Sequence, residues 1–402
     1  MPTATAPARP APAADTAERG RRRFIRLLGG GAVVAIAAPV AGCAAGVPEA
    51  ATQPWRTAAQ ETDVRRWMLA HALLAPNPHN RQPWIADLSQ PDAITLVCDG
   101  QRLLPHTDPH GRQILVGCGA FIELAVIAAS HRGVAVTVEP YPDGPPAANA
   151  LPAGTRVATL RLGAPGSATP DPLHAQITRR HTNKTAYADG RALPAPLLAD
   201  WSRTAASLGL RSGVVTATDE LQRIRRITRE AYEIECVTPR TWIESAELMR
   251  IGPAAIERHR DGISIAGAMP RLMHTLGLFD PMDVPQRGNA NHGRVMERWQ
   301  AHETGSGFLW LAAPGTDRRG PLDAGRAYVR MHLQATAAGV DLHPLSQPLQ
   351  EFPEVRGPYD ALHRALGVDP AQGPVQMLAR TGYALAPDGP SPRRGLPDLL
   401  RA

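Results

Sequence analysis

Lysine is almost missing from this chain. Of its 402 residues one, Lys184, carries an ammonium, and the other 42 of the 43 basic side chains are arginines. A chain rich in Ala, Arg, Gly and Pro reads as GC-rich coding, which explains the scarcity but not the position of the survivor, inside "RRHTNK". Cysteine is nearly as rare. Cys43, Cys98, Cys118 and Cys236 show no CxxC spacing, so a disulfide framework and a zinc site are both excluded. Cys118 lies in an apolar run and reads as a small buried hydrophobe. Beyond the N-terminal region no run reads as a membrane span, and no basic stripe points to nucleic acid.

The N-terminus carries most of the excess charge. Residues 1–42 hold six arginines against Asp15 and Glu18, which is four of the six net positive charges. Arg21-Arg22-Arg23-Phe24-Ile25-Arg26 matches the twin-arginine export pattern. Leu27 to Ala41 follows as an apolar run too short to span a bilayer, and it fits a signal h-region. Val40-Ala41-Gly42-Cys43 resembles a lipobox. The expectation is an exported protein with residues 1–43 as signal and lipobox, lipidated at Cys43 and thereby anchored to the outer side of the cytoplasmic membrane or lying in the periplasm.

The remainder is long enough for one large domain or two medium ones. Thr57 to Leu74 reads as a helix, "AITLVCDG" as a strand with its turn, and "GRQILVGCGAFIELAVIAASHRGVAV" as a long apolar helix, a glycine stop and a strand at Val134, Val136 and Val138. Pro142 to Pro152 reads as a linker, and Leu173 to Arg180 as the start of another helix. Gly119 and Gly133 bracket the apolar helix, while Gly325 and Gly339 bracket a second one followed again by Gly-Val and a short strand. This suggests an internal repeat, with a first half over 57–150, a second over 170–400, and an insertion at about 232–300 that reads as a lid.

Two segments carry the chemistry. "APNPHNRQPW" places Asn80 and Gln82 on a proline-stiffened loop after a helix. Their amides donate and accept together, which suits the edge of a planar heterocycle or a self-capping turn equally. In "RRHTNK", Arg179 and Arg180 can fork a phosphate, Thr182 supplies a hydroxyl, and Lys184 is a compact charge able to approach one ring atom. Arg380 follows an apolar stretch and is expected at a strand end. His79, His106, His110 and His343 are the acid–base candidates, none of them convincing.

These segments resemble the nitroreductase-type FMN oxidoreductases. Arg180, Thr182 and Lys184 match the family's Arg-x-Ser/Thr-x-Lys/Arg pattern, and Pro78 to Trp84 matches its Ser-x-Asn-x-Gln-Pro-Trp loop. The order, loop first and basic cluster second in one chain, resembles the tandem (Acg-type) branch. The resemblance implies an α+β nitroreductase-like fold, two fused halves forming a pseudo-dimer with an internal pseudo-two-fold in a monomer, an inserted helical lid, and one FMN between the halves. It implies Pro78, His79, Asn80 and Gln82 near the flavin, Arg179, Arg180 and Arg380 at the phosphate, and Thr182 and Lys184 at the ribityl chain or pyrimidine. Ser346 and Gln347 would lie near N5. Trp67 and Met68 stand where a second basic cluster would be, so one flavin site is expected, and no metal. The implied activity is two-electron reduction of a small organic acceptor; the alternative is flavin binding or sequestration without turnover.

Overall fold

The computed structural model describes residues 46–401. The export pattern and Cys43 lie outside them. The first helix is shorter than its sequence suggests. A helical turn, Pro54–Thr57, is separated from α1 (Val64–Ala72) by extended backbone at Glu61. Asp63 causes the break: its carboxylate accepts the amides of Arg65 and Arg66, both at 3.0 Å, so a new helix starts there.

After α1 the chain forms β1 (Trp84–Asp87), β2 (Ala93–Cys98), α2 (Arg112–His131), β3 (Val134–Pro140) and β4 (Arg156–Pro165). The four strands make an antiparallel sheet in the order β1-β2-β4-β3. β4 therefore belongs to the first sheet, the first half runs past residue 150, and Pro142 to Pro152 joins two strands of one sheet instead of joining halves. Leu173 to Arg180 is not a helix beyond a single 3-10 turn, Pro172–Gln176.

Next come α3 (Ala195–Ser207) and β5 (Arg211–Val215). The segment 216–306 then carries α4 (Thr218–Val237), α5 (Pro239–Glu247), β6 (Met249–Ile251), α6 (Pro253–His259), β7 (Ile263–Ile265), α7 (Ala268–Thr275) and α8 (Ala290–Trp299). The chain ends with β8 (Gly307–Ala312), α9 (Arg319–Ala337), β9 (Asp341–Pro344), α10 (Arg356–Ala365) and β10 (Val375–Gly382). The second antiparallel sheet has the order β5-β8-β10-β9, the same pattern as the first with the long segment spliced between its first two strands.

The repeat glycines do different work from that expected. Gly133 and Gly339, at φ +70° and +66°, do follow the ends of α2 and α9. Gly119 and Gly325 lie inside those helices, where the two cross. A Cβ on Gly119 would stand 1.9 Å from the Leu322 carbonyl oxygen, and one on Gly325 would stand 2.0 Å from that of Val116. Leu322 precedes Gly325 by three residues and Val116 precedes Gly119 by three, so the contact is reciprocal. The cores interlock across this crossing. Leu322, Val329 and Leu333 of α9 join the cluster of Leu96, Phe121 and Leu160, and Val116 of α2 joins that of Leu309, Met331 and Leu342. Cys118, Trp67 and Met68 are buried, with the Arg132 guanidinium 4.0 Å from the centroid of the Trp67 ring.

The inserted segment is pinned to the first sheet's loops. Buried Glu244 accepts the amides of His106 and Thr107, both at 2.9 Å, and Asp261 pairs with Arg102 at 2.8 Å and with Arg250 at 2.9 Å. Met269 and Leu272 of α7, and Leu276 just after it, are exposed to solvent.

Candidate active site

The loop between α1 and β1 is strained. His79, Asn80 and Gln82 hold left-handed φ values of 47°, 50° and 51°, each costing a non-glycine residue roughly 1–2 kcal/mol. Side chains hold the conformation. The Gln82 amide donates to Asn77 Oδ1 (2.7 Å) and Arg393 Nη1 to Asn80 Oδ1 (2.7 Å). Asn80 Nδ2 donates to the Pro392 carbonyl (3.0 Å), Gln82 Nε2 to that of Arg260 (2.8 Å), and the Arg394 amide to Gln82 Oε1 (2.9 Å). Both amides expected to face a planar ligand are thus committed to the C-terminal segment and the insertion. They shape the wall of the site. Pro78 and His79 beside them are half-buried.

The basic cluster divides. Arg179 is exposed and Thr182 half-buried, whereas Arg180 is buried. Arg180 Nη2 donates to the Leu74 carbonyl at 2.8 Å. Arg393 Nη2 reaches the same carbonyl and that of Ala75, both at 3.1 Å. These oxygens lie just beyond the end of α1, where helix carbonyls carry partial negative charge. Both guanidiniums lie against the Trp55 ring, at 5.5 and 5.1 Å from its centroid. Among the described residues no carboxylate acts on either one. Burial pushes Arg180 down to about 10, opposed by Tyr328, and holds Arg393 well below its ordinary value with Arg180 adding to the effect. The Nε atoms of both, and the Tyr328 hydroxyl, are buried without a partner among the described residues. Buried charges are ordinarily paired, so two adjacent guanidiniums with spare donors fit an anionic group.

Arg380 does not share this arrangement. It lies in β10 and is fully buried. Its nitrogens donate to the carbonyls of Ala301 (2.6 Å) and Thr185 (2.7 Å) and to His343 Nδ1 (3.1 Å), with Tyr187 over its face. It ties Thr185, next to the "RRHTNK" strap, to the second sheet, and most of its donors are engaged there. The second buried guanidinium beside Arg180 is Arg393, which shares the Leu74 carbonyl with it. The signal for it was available in "SPRRGLP", a basic pair set between prolines.

Lys184 stands between the two parts. Its side chain reaches solvent, yet surrounding protein lowers its pKa, desolvation first, with Arg298 and Arg393 adding to it and Asp388 opposing. An ammonium both solvent-accessible and crowded is what the wall of a cleft presents. A row of rings runs beside it: Tyr232 stacks on Trp299 at 4.2 Å, and His302 meets Trp299 edge-on at 4.9 Å and His343 at 4.7 Å. Burial, aided by Arg380 and Lys184, depresses His302 to about 3, so this ring is neutral. The Nε1 of Trp299 and Nδ1 of His302 are buried and unpartnered among the described residues.

The opposite corner holds a carboxyl that the sequence did not flag. Glu235, near the C-terminal end of α4, is buried. Gln350 Nε2 donates to its Oε2 at 3.1 Å, and Gln347 also hydrogen-bonds to it. His79 Nε2 lies 3.9 Å from its Oε1. Ser346 is half-buried at the start of the turn carrying Gln347. Of the other acid–base candidates, His106 engages Glu244 through its backbone, His110 faces Glu351 at 3.6 Å, and His343 is tied to Arg380. Among the described residues no cluster of His, Cys, Asp and Glu is arranged to hold a metal ion.

No family model matches this chain. It is similar to proteins of Mycobacterium tuberculosis. One is "Putative NAD(P)H nitroreductase Rv3131", 28% identical over 352 residues, which span 85% of this chain and 92% of that protein. Another is "Putative NAD(P)H nitroreductase acg", 35% identical over 82 residues, 20% of this chain and 24% of the relative. The crystal structure of the FMN-dependent nitroreductase NfnB from Mycobacterium smegmatis in complex with NADPH overlaps 56% of this chain and 96% of its own, at 16% identity and a TM-score of 0.34. That overlap is too loose to bear on the site. The similarity to Rv3131 runs over most of the length of both chains.

Proposed function

We propose that this protein is an FMN-dependent oxidoreductase of nitroreductase type, with the flavin held between two fused halves of one chain. The observation that carries the reading is the pair of buried guanidiniums, Arg180 and Arg393, set side by side without a carboxylate. They fit the phosphate of FMN, and Lys184, an arm's length along the same strap, fits the charge that a reduced flavin accumulates on its pyrimidine edge. Bound FMN supplies the electron chemistry; the chain supplies orientation and electrostatics. The acceptor is a small organic molecule, and the relatives' names point to a reduced nicotinamide as donor.

The tandem arrangement belongs to the same proposal. Matching strand orders and the reciprocal crossing of Gly119 and Gly325 support two halves related by an internal pseudo-two-fold axis. One flavin site is part of the reading, because Trp67 and Met68 stand where counterparts of Thr182 and Lys184 would be. Export through the twin-arginine route, with lipid attached at Cys43, completes the reading and places the folded, loaded protein outside the cytoplasm. The pinning of the inserted segment over the loop favours a second reading, sequestration of flavin without turnover. The visible spectrum of the purified chain separates them. A flavin spectrum bleached by NAD(P)H and restored by a nitroarene supports the enzyme; a flavin bleached by dithionite alone supports sequestration; failure to bind FMN removes both.

A further inference from the structure

Among the described residues no arginine or lysine pairs with the carboxyl of Glu235 to explain its burial; its one basic neighbour is the His79 ring. Its last-turn position in α4 places it at the negative end of the helix, which disfavours a carboxylate. Its neighbours offer amides and a neutral ring. Gln350 and Gln347 donate to it, and each keeps an Oε1 that is buried and unpartnered among the described residues; His79 Nδ1 is in the same condition. Three orphaned polar atoms around one buried acid mark a place where another polar molecule fits. The cluster draws on three separate elements: α4, the strained loop before β1, and the turn after β9.

From this geometry we infer that Glu235 is the proton donor of the site and that His79 returns its proton from solvent. The inference rests on the FMN reading. In the overall reaction an acceptor and NAD(P)H plus one proton yield the doubly reduced acceptor and NAD(P)+. The electron pair and one hydrogen come from the nicotinamide. The other hydrogen comes from Glu235: its O–H bond breaks, a bond to the electron-rich atom of the acceptor forms, and a carboxylate remains. That carboxylate regains a proton by way of the His79 ring.

The charges around the pair suit this role. Burial raises Glu235 to about 7, with Glu244 of α5 adding to the effect and the two glutamines opposing it. Burial lowers His79 to about 4, with Arg81 and Lys184 adding to it. Tyr232 and Cys236, also on α4, stay neutral because burial raises both. The usual order is thereby inverted. Between about pH 4 and pH 7 the carboxyl mostly carries the proton and the imidazole does not, so there the 3.9 Å approach is not an ion pair. A group titrating near the working pH is the efficient general acid.

The test uses the full FMN-loaded chain and nitrofurazone as probe acceptor. In wild type, reoxidation of the pre-reduced chain should slow about tenfold per pH unit above about pH 7, as the acid form is depleted. Glu235→Gln should slow it roughly 100-fold or more and leave it flat with pH, with FMN content and bleaching by dithionite unchanged. Glu235→Asp should restore part of the rate and the pH dependence. A protonated-carboxyl infrared band in the wild-type minus Glu235→Gln difference spectrum, present at pH 6 and lost at pH 9, is the readout independent of activity, because the subtraction removes the contribution of Asp108. Wild-type rates and pH profile in Glu235→Gln overturn the inference while leaving the FMN reading intact. A wild-type chain that binds no FMN overturns both. If Glu235→Gln does not fold, a flat wild-type profile together with equal rates in Glu235→Asp overturns the inference by itself.

Discussion

Replacing Gly119 by alanine puts one methyl group where α2 and α9 touch. The added Cβ would meet the Leu322 carbonyl at 1.9 Å, and ordinary contact begins at 3.4 Å, so the helices must separate by about 1.5 Å. Two effects oppose each other. Alanine in a helix interior is favoured over glycine by about 1 kcal/mol. Overpacking costs about 1–3 kcal/mol and sometimes more, and here the obstacle is backbone, which cannot rotate away. Separation also strips dispersion from the flanking side chains, since a gap of even ~1 Å forfeits up to about half of a contact's well. The clash should win, leaving a net loss of about 2–4 kcal/mol. For a chain of this size, with an unfolding entropy of about 0.75 kcal/mol/K, that lowers the melting temperature by roughly 3–5 °C. The assay is thermal unfolding of the purified protein followed by circular dichroism. Gly325→Ala should behave alike, because its Cβ meets the Val116 carbonyl at 2.0 Å. The double substitution should cost less than the sum, since one separation relieves both clashes. Gly293→Ala in α8, with nothing within 4 Å, is the control and should be neutral or stabilise by up to about 1 kcal/mol. Single variants that melt at the wild-type temperature would refute the reciprocal crossing.

Other perturbations probe the site and the N-terminus. Arg393→Met should cost FMN affinity as much as Arg180→Met, while Arg179→Met should cost little; isothermal titration with FMN checks the ranking, and equal losses for all three would remove the buried pair as the anion site. Lys184→Met should retain FMN but lower its midpoint potential, a charge contact being worth about 1.5–3 kcal/mol, and an unchanged potential would make Lys184 a surface residue. Glu235 titrates higher in the folded chain, at about 7 against 4.5. The folded state therefore holds a proton the unfolded state releases, and stability falls as pH rises between those values. Glu235→Gln should flatten denaturant-measured stability over that window by up to about 3 kcal/mol, with some slope left by Asp108, which burial raises to about 6 from 3.8. Arg21→Lys combined with Arg22→Lys should hold the protein in the cytoplasm, and Cys43→Ser should release it from membranes; fractionation by immunoblot decides both.

Local chemistry made much of this protein legible from its residues. The α2–β3 unit could be read because an apolar run ending in glycine and followed by alternating valines has few other solutions. The "APNPHNRQPW" and "RRHTNK" segments stood out because prolines, amides and a lone lysine are conspicuous, and their resemblance to one family came with them. The sequence could not say which of those side chains are free to act. Asn80 and Gln82 look available in a string of letters and are consumed by Pro392, Arg260 and Arg394. Arg380 looks like a ligand and is engaged by the carbonyls of Ala301 and Thr185 and the His343 ring, while Arg393, more than two hundred residues from Arg180, shares the Leu74 carbonyl with it. Glu235 became a candidate only when α4, the first loop and the turn after β9 met around it. Availability, burial and pKa are properties of what surrounds a side chain in space, and at these separations along the chain only the tertiary fold decides the surroundings.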